Sequence, residues 1–416
     1  FYIYTYKKKP EVYAHLLNLK KEHVFTIIWV IVLLISARLA IRILFMFAPI
    51  TAVLVAFTFV KTFDYSLKIK HKFIMICAIV VILYLLFSPL TQISLVSYYN
   101  TVHGTVKYSG SSYHQQWQSA MKWARENTPE DAVFAHWWDY GYYVQTGGQR
   151  ATLTDGGNNG GPALNYFMGR NVLTGRNATE ALEFLKAKGA TNLLIVSDEI
   201  GKYAAYSSIG SNLTNDRYSN IPAFSLDPSQ TVEQRNETLI FYRGNAAFDE
   251  DIFYDDVLYP AYSSGVIGII VPVKMTGSES TVNQPQAVVV RMGQQQIIPI
   301  KCLFLNNREI IFPEKGLNIC FQIIPHVQGN NVNMLGAGLY LSGKVWNTLF
   351  THMYLFNQTW EGFSLAYTDE QTAPLAVYNS VIAGPVKIWK ITYPDNIAVN
   401  PFYERLDLPD PKLAYV

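Results

Sequence analysis

Residues 132–141 read AVFAHWWDYG, an apolar run followed by two tryptophans, an aspartate, a tyrosine and a glycine. The run predicts a β-strand from Ala132 to Ala135. A buried tryptophan needs a hydrogen-bond partner for its indole N–H. Two indole donors beside the carboxylate of Asp139 can therefore converge on one hydroxyl group. We expect residues 137–141 to bind the side chain of a serine or threonine from another polypeptide.

Helical and strand patterns alternate on both sides of this strand, from about residue 113 to 245. Apolar residues at helical spacing predict a helix from Tyr113 to Asn127, and a second helix is predicted from Thr179 to Lys188, capped by Thr179. Asn192 to Val196 is a compact apolar strand bounded by turn residues. This alternation is typical of a mixed α/β layer.

Strand patterns dominate the rest of the chain, with one late helix predicted from Lys344 to Phe356. The strands predicted there are 266–273, 287–291, 296–304, 318–324 and 386–391, and a further strand is predicted within the α/β layer at 149–154. The sequence therefore predicts an α/β core over residues 97–245 and a β-rich part over residues 246–416.

Over the whole chain 50% of the residues are hydrophobic and 15% are charged, and the first 96 residues are much more apolar than the rest. Uncharged runs at 24–37, 43–60 and 73–96 predict three membrane helices, since crossing a bilayer takes about 20 residues. Lysines before the first and between the second and third runs belong in the cytoplasm by the positive-inside rule. Residues 97–416 are then extracytoplasmic, beginning with a linker over 97–112. The first six residues look like the end of an earlier membrane helix, so we expect the C-terminal part of a longer protein.

The motif Trp137-Trp138-Asp139-Tyr140-Gly141 resembles the hallmark of the oligosaccharyltransferase catalytic subunits, and the chain resembles their archaeal AglB branch. In that family the motif reads the hydroxyl residue of the acceptor sequence Asn-x-Ser/Thr. The resemblance implies that all five residues serve acceptor binding. The alternative is an aromatic-rich turn that merely completes a core.

A second segment, residues 199–209, resembles the family's Asp-x-x-Lys-x-x-x-Met/Ile element. The resemblance implies that Lys202 lies beside the tryptophan pair and that Ile209 touches a threonine methyl group. The pattern departs from the family at two positions, because Glu199 is the acidic residue and Tyr206 stands where Met or Ile is expected. The alternative is an ordinary solvated helix start, where acidic residues are favoured.

Arg42 follows Arg38 by four residues, so the two share one helical face. Its setting resembles the family's arginine-bearing helix, which implies that Arg42 meets the phosphate of the lipid-linked sugar donor. A guanidinium group suits this role because it binds phosphate with two parallel hydrogen bonds. The alternative is an arginine that extends from the membrane boundary into water.

Taken together, the resemblance implies a membrane glycosyltransferase that moves an oligosaccharide from a dolichyl phosphate or pyrophosphate to asparagine. It also implies Mn²⁺ or Mg²⁺, which stabilises charge on the leaving phosphate, with ligands upstream of this chain. We therefore expect no catalytic residue and no metal ligand here, and no turnover by the chain alone. The net charge of +2 and the lack of a basic stripe point to no nucleic-acid partner.

Two other functions remain compatible with the sequence. One is a membrane-anchored envelope protein whose aromatic, β-rich part binds carbohydrate. The other is a different lipid-dependent glycosyltransferase that lacks the peptide site. Arg42 and Lys202 distinguish an oligosaccharyltransferase from an envelope protein, because an envelope protein needs neither an arginine at the lipid phosphate nor a lysine beside the tryptophan pair.

Several further residues need an assignment. Cys302 and Cys320 could form a disulfide outside the cytoplasm, but the sequence leaves their pairing open. His136 is expected to be structural. The acidic residues from Asp249 to Asp256 match no calcium-binding loop, which favours a hydrated surface. Candidate glycosylation sequences occur at Asn177, Asn212, Asn236 and Asn357.

Overall fold

The computed structural model describes residues 20–90, 94–109, 112–235, 237–276, 279–379 and 381–415. The chain divides into two compact units, with the boundary at residue 112. The stub predicted at residues 1–6 lies outside the described residues. Asn236 lies outside them too.

The first unit is helical. Its α-helices are α1 (Lys21–Leu39), α2 (Leu44–Leu67), α3 (Lys72–Phe87) and α4 (Leu95–Ser109), with a 3₁₀ turn at Ile41–Ile43 before α2. By length and composition, α1 and α2 can cross a membrane, and only 6% of the apolar stretch of each is buried. Their outward-facing apolar side chains are the pattern expected where lipid is the solvent.

The third helix is shorter than predicted. It ends at Phe87 because the next residue, Ser88, precedes Pro89 and adopts an extended conformation, as residues before proline usually do. The 16 residues of α3 fall short of the roughly 20 needed for a membrane span. The prediction of one helix over 73–96 is therefore wrong in extent. The linker predicted over 97–112 is also wrong, since α4 occupies most of it.

The second unit combines short helices with two main sheets. Its α-helices are α5 (Gln115–Asn127), α6 (Pro162–Phe167), α7 (Ala178–Ala187), α8 (Asp198–Gly201), α9 (Tyr203–Ile209) and α10 (Gly343–Trp346). Its strands are β1 (Val133–Ala135), β2 (Ala151–Thr152), β3 (Asn192–Ile195), β4 (Ala223–Leu226), β5 (Val232–Glu233), β6 (Glu237–Ala247), β7 (Ile252–Tyr254), β8 (Val257–Tyr259), β9 (Ser264–Thr276), β10 (Glu279–Val282), β11 (Gln286–Arg291), β12 (Gln294–Leu305), β13 (Arg308–Ile311), β14 (Leu317–Gln328), β15 (Asn331–Leu341), β16 (Phe363–Thr368), β17 (Ala376–Tyr378), β18 (Val381–Ala383) and β19 (Lys387–Ile391).

The smaller sheet has the strand order β16-β19-β3-β1-β2. Its strands β1, β2 and β3 run parallel, and β19 adds antiparallel to β3. Strand β1 is apolar because both of its faces are covered, and Phe134 and Ala135 are fully buried. The end of this central strand carries the Trp-Trp-Asp motif. The two C-terminal strands β16 and β19 therefore complete the sheet that holds the motif.

The larger sheet closes on itself. Its order runs β13-β12-β11-β9-β6-β4-β15-β14-β17-β18, and β14 also pairs with β12. Seven strands, from β12 through β11, β9, β6, β4 and β15 to β14, thus form a closed ring around an aromatic and aliphatic core. Closure removes most of the free strand edges that a sheet of this size would otherwise expose. The disulfide between Cys302 and Cys320 links β12 to β14 at this seam.

Most predicted elements are present, with local corrections. The helix predicted from Tyr113 is confirmed as α5. Helix α7 is capped by the side chain of Asn177, which accepts the N–H of Thr179 at 2.9 Å, so the predicted Thr179 cap is wrong. The predicted late helix is divided into α10 and a π-helical turn at Phe350–Leu355. The fold class is confirmed as apolar helices followed by a mixed α/β unit with a β-rich C-terminal part.

Candidate functional site

The motif begins where β1 ends, and its first tryptophan points into the core. Trp137 is 1% exposed, and its ring meets that of Tyr206 edge to face at 5.7 Å. A 3₁₀ turn then runs from Trp138 to Tyr140. Tyr140 is buried and stacks on Trp117 of α5 at 5.3 Å. These aromatic pairs fix the backbone of the turn from both sides.

Gly141 ends the motif because a side chain has no room there. A Cβ atom at this position would lie 2.5 Å from Cβ of Asp155 and 2.6 Å from the carbonyl oxygen of Thr154. The turn therefore packs directly against the segment after β2. This close approach is a structural reason for glycine at the end of the motif.

Asp139 remains partly exposed between these buried neighbours. Its side chain is 28% exposed, and its Oδ2 atom lies 3.0 Å from Nζ of Lys202. The same ammonium group donates to the hydroxyl of Tyr140 at 3.1 Å and lies 4.7 Å from the centre of its ring. The structure thus brings Lys202 to Asp139, as the sequence resemblance implies.

The polar atoms of the motif keep capacity for a ligand. Neither indole N–H of Trp137 and Trp138 donates a hydrogen bond within the part of the chain that the structure describes. Trp138, like Asp139, is only partly buried. Packing in the core therefore accounts for Trp137 and Tyr140, and in part for Trp138, which packs against the same core, but it does not account for the exposed carboxylate of Asp139.

A buried acid lies under this site. Glu199 is fully buried, and its Oε2 accepts the N–H of Val196 at 2.6 Å, while Oε1 has no partner in the described residues. Burial raises the pKa of Glu199 to about 8, so the group is largely protonated at neutral pH.

His136, just before the motif, has the structural role expected for it. It is fully buried, and its Nδ1 lies 2.8 Å from the carbonyl oxygen of Trp137. Burial lowers the pKa of His136 to about 4, which keeps the ring neutral and makes Nδ1–H the donor. Thr154 donates its hydroxyl to the carbonyl oxygen of His136 at 2.8 Å. These bonds hold the strand end that delivers the motif.

The other predicted site residues are less tightly placed. Ile209, in α9, is 44% exposed, and no described contact joins it to the tryptophan pair. The backbone of Arg42 lies in the 3₁₀ turn before α2, but its side chain is outside the described part of the structure. Their roles stay predictions.

Two contributors were not predicted from the sequence. Trp117 belongs to the apolar face of the helix predicted from Tyr113, and in the structure its ring stacks on the ring of Tyr140. Tyr206 was noted only as a departure from the family pattern, yet it packs against Trp137. The spacing of Trp117 along α5 signals burial, but no sequence signal identifies its partner.

The acidic segment is not uniformly a hydrated surface, so that prediction is wrong at Asp249. Its side chain is buried, and its Oδ2 accepts hydrogen bonds from the hydroxyls of Ser219 and Ser342. Within the described ranges, no cluster of three or more His, Cys, Asp or Glu side chains is arranged to hold a metal ion.

Three of the candidate glycosylation sequences are described. Asn177 caps α7, and Asn212 accepts from the backbone and hydroxyl of Thr214 two residues later. The amide of Asn357 bonds Lys387 and Glu370. Each asparagine side chain is thus engaged locally.

No protein-family model matches the chain, but parts of it are similar to curated oligosaccharyltransferases. The chain is 32% identical over 106 residues to dolichyl-phosphooligosaccharide-protein glycotransferase 1 of Pyrococcus furiosus, a match that covers 24% of this chain and 10% of that protein. It is 27% identical over 161 residues to the glycosyltransferase subunit STT3 of Saccharomyces cerevisiae, covering 35% and 22% respectively.

Solved structures give only a distant match. The apo oligosaccharyltransferase of Archaeoglobus fulgidus aligns with a TM-score of 0.48 at 13% identity, covering 94% of this chain and 46% of that one. The family relationship therefore rests on sequence, and the aligned segments span less than a quarter of the two curated relatives. By sequence, this chain is similar over about a quarter to a third of its length to archaeal and eukaryotic oligosaccharyltransferases, and the similarity spans only part of those proteins.

Proposed function

We propose that this chain takes part in protein N-glycosylation as the C-terminal part of a membrane oligosaccharyltransferase. In this proposal the motif at the end of β1 holds the serine or threonine of an Asn-x-Ser/Thr acceptor. The supporting observation is the partly exposed Asp139, held 3.0 Å from Lys202 on a turn that is anchored by the buried residues Trp137 and Tyr140. A rigid turn with one accessible carboxylate is suited to select a small polar group.

The chemistry of recognition follows from the donors and acceptors at the site. In this proposal Asp139 accepts the hydroxyl proton of the acceptor side chain, while Lys202 and the indole N–H of the partly exposed Trp138 can donate to the hydroxyl oxygen. A peptide with alanine at this position leaves those groups without a partner in a partly desolvated site. The cost of unpaired polar groups explains why such sites reject analogues that lack the hydroxyl.

The donor side of the reaction involves the helical unit. We propose that Arg42 binds the phosphate of a lipid-linked oligosaccharide at the membrane surface, as a guanidinium group can do. We propose an extracytoplasmic position for residues 97–416 in a multi-pass protein. The lysines between α2 and α3 belong in the cytoplasm by the positive-inside rule, so this position requires the whole apolar run 73–96, which is longer than α3, to cross the membrane.

The divalent metal implied by the resemblance does not fit the described residues, where no suitable ligand cluster occurs. In our proposal, Mn²⁺ or Mg²⁺ is bound by other parts of the full enzyme. No step described for this chain involves the metal.

The experiment compares fluorescent peptides that contain Asn-Ala-Thr or Asn-Ala-Ala, titrated against the full chain in detergent. We expect the threonine peptide to bind about 10- to 100-fold more tightly, because a hydrogen bond to a charged group contributes roughly 1.5–3 kcal/mol. Asp139→Ala should reduce this ratio towards one.

Asp227→Ala is the matched control, since it removes another carboxylate paired with a cation, at 2.7 Å from Arg243. The control should preserve the preference for threonine. An unchanged preference in the Asp139 variant would contradict the proposal. Equal binding of both peptides by the wild type, together with binding of free oligosaccharide, would instead favour the carbohydrate-binding function.

A further inference from the structure

A cavity of about 560 Å³ lies directly beside the candidate site. One wall is the segment around α8, which contributes Asp198 and Lys202. The other wall is the outer face of the large sheet, where Ala223, Val377 and Val381 line the cavity. The volume falls within the range of about 300–1,000 Å³ that is typical of ligand sites.

The two walls differ in chemistry. The sheet wall is largely aliphatic, and Val381 is 65% exposed there, a costly position for a β-branched apolar side chain. The opposite wall carries the carboxylate of Asp198 and the ammonium group of Lys202. An aliphatic floor under a charged rim suits a peptide that buries one apolar side chain and keeps its backbone at the rim.

Lys202 connects the cavity to the site that we propose for the acceptor hydroxyl group. Its ammonium group contacts Asp139 at 3.0 Å, and the same residue lines the cavity. An extended peptide advances about 3.3 Å per residue, so a lysine side chain spans about two positions. The cavity is therefore within reach of residues one or two positions from the bound serine or threonine.

The direction of the peptide follows from the acceptor sequence itself. Two positions before the hydroxyl residue stands the asparagine, whose side chain must reach the sugar donor rather than a sheet face. Of the two residues that lie two positions away, the one that can enter the cavity is therefore the residue that follows the serine or threonine.

The edge of the sheet at this cavity is available for backbone contacts. In the described residues, β18 pairs with β17 and with no other strand. An unpaired strand edge is a common docking place for an extended peptide. Val381 and Ile382 of β18 both line the cavity.

We propose that this cavity is a second acceptor subsite, which binds an apolar side chain one or two positions after the serine or threonine. This inference rests on the proposed function, because the occupant is the same acceptor polypeptide. It adds a preference for leucine-like residues after the sequon.

The test uses the full chain in detergent and four fluorescent peptides. They combine threonine or alanine at the hydroxyl position with two leucines or two serines immediately after it. In the wild type, leucine should increase affinity about tenfold over serine, as expected for burial of several methylene groups. The variant Val381→Ser, in which a wall of the cavity becomes polar, should lose most of this increase.

Val332→Ser is the matched control, because Val332 is 59% exposed on β15 and does not line the cavity. It should keep the full leucine preference. Both substitutions are at exposed positions, and unfolding midpoints of the three proteins will show whether the fold is retained.

The outcomes separate the two claims. A threonine preference without a leucine preference overturns the subsite and leaves the proposed function intact. A leucine preference that persists in Val381→Ser also overturns the subsite, because the apolar contact then lies elsewhere. Absence of both preferences overturns the proposed function and the subsite together.

Discussion

Two aspartates in the second unit bind polar groups in opposite ways. Asp249, beside the large sheet, is buried and accepts hydrogen bonds from the hydroxyls of Ser219 and Ser342. Asp139, at the end of β1 in the small sheet, is 28% exposed and contacts a lysine. Within the described residues, serine hydroxyls donate to the first carboxylate and none donates to the second.

The difference shows how the same chemical group can stabilise a fold in one place and be available for recognition in another. The Oδ2 atom of Asp249 is saturated by hydroxyl groups that come from distant parts of the chain. The oxygens of Asp139 are held in position by Lys202, but they can still accept a hydroxyl from outside. Asp249 thus shows, within the same protein, the type of contact that we propose for the acceptor.

The largest expected effect on stability concerns Glu199, the buried acid beside the candidate site that contains Asp139. Its pKa is about 8 when folded and 4.5 as an unperturbed group. The folded state therefore keeps a proton that the unfolded state loses, and stability falls as pH rises from 4.5 to 8, by roughly 5 kcal/mol. Glu199→Gln cannot ionise and should avoid this loss. It should be about as stable as wild type at pH 5 and clearly more stable at pH 8.5.

Urea unfolding followed by tryptophan fluorescence at the two pH values measures this difference. His136 has the opposite dependence, because its lowered pKa makes stability fall as pH drops from 6.5 to about 4. This contribution is the same in both proteins and cancels in the comparison. If the difference in free energy of unfolding between variant and wild type is the same at both pH values, Glu199 does not have the raised pKa expected for a buried acid.

The next largest effect on stability concerns the buried carboxylate of Asp249. Asp249→Ala should lower the free energy of unfolding by about 3 kcal/mol, because two buried hydroxyls lose their acceptor. The same urea titration measures it, and Glu250→Ala, at the exposed neighbouring residue, should change stability little. Binding of the threonine peptide by the Asp249 variant should keep its preference for threonine. A loss of that preference would make Asp249 part of the recognition site and end the contrast.

The smallest expected effect on stability belongs to Asp139. An ion pair this exposed contributes about 0–1 kcal/mol, so Asp139→Ala should leave the urea midpoint nearly unchanged while threonine recognition is lost. A destabilisation as large as that of Asp249→Ala would mean that Asp139 mainly supports the fold.

Local signals in the sequence identified much of the fold. The apolar runs predicted α1 and α2, and helical spacing predicted α5, because both depend on neighbouring residues alone. The helix predicted at α3 is too long, because the apolar run continues past Pro89. Ser88, the residue before this proline, adopts an extended conformation and ends the helix. The closed ring of strands was not predictable, since β12 and β14 pair through contacts that no local pattern encodes.

The candidate site shows the same division. The residue types at 137–141 and Lys202 were identified by their resemblance to a family motif. The sequence did not predict that Glu199 is buried or that Tyr206 packs on Trp137. Both contacts depend on how α8 and α9 pack against the end of β1. The sequence also left the pairing of Cys302 and Cys320 open, and strand pairing placed them together.

By itself the sequence determined the chemical inventory: apolar helices suited to lipid, an aromatic and acidic motif at a strand end, and a lysine 63 residues after its aspartate. The tertiary structure alone decided which polar groups are satisfied internally and which are accessible. Burial and hydrogen bonding depend on segments far apart in the chain, and these segments meet only after the sheets have formed.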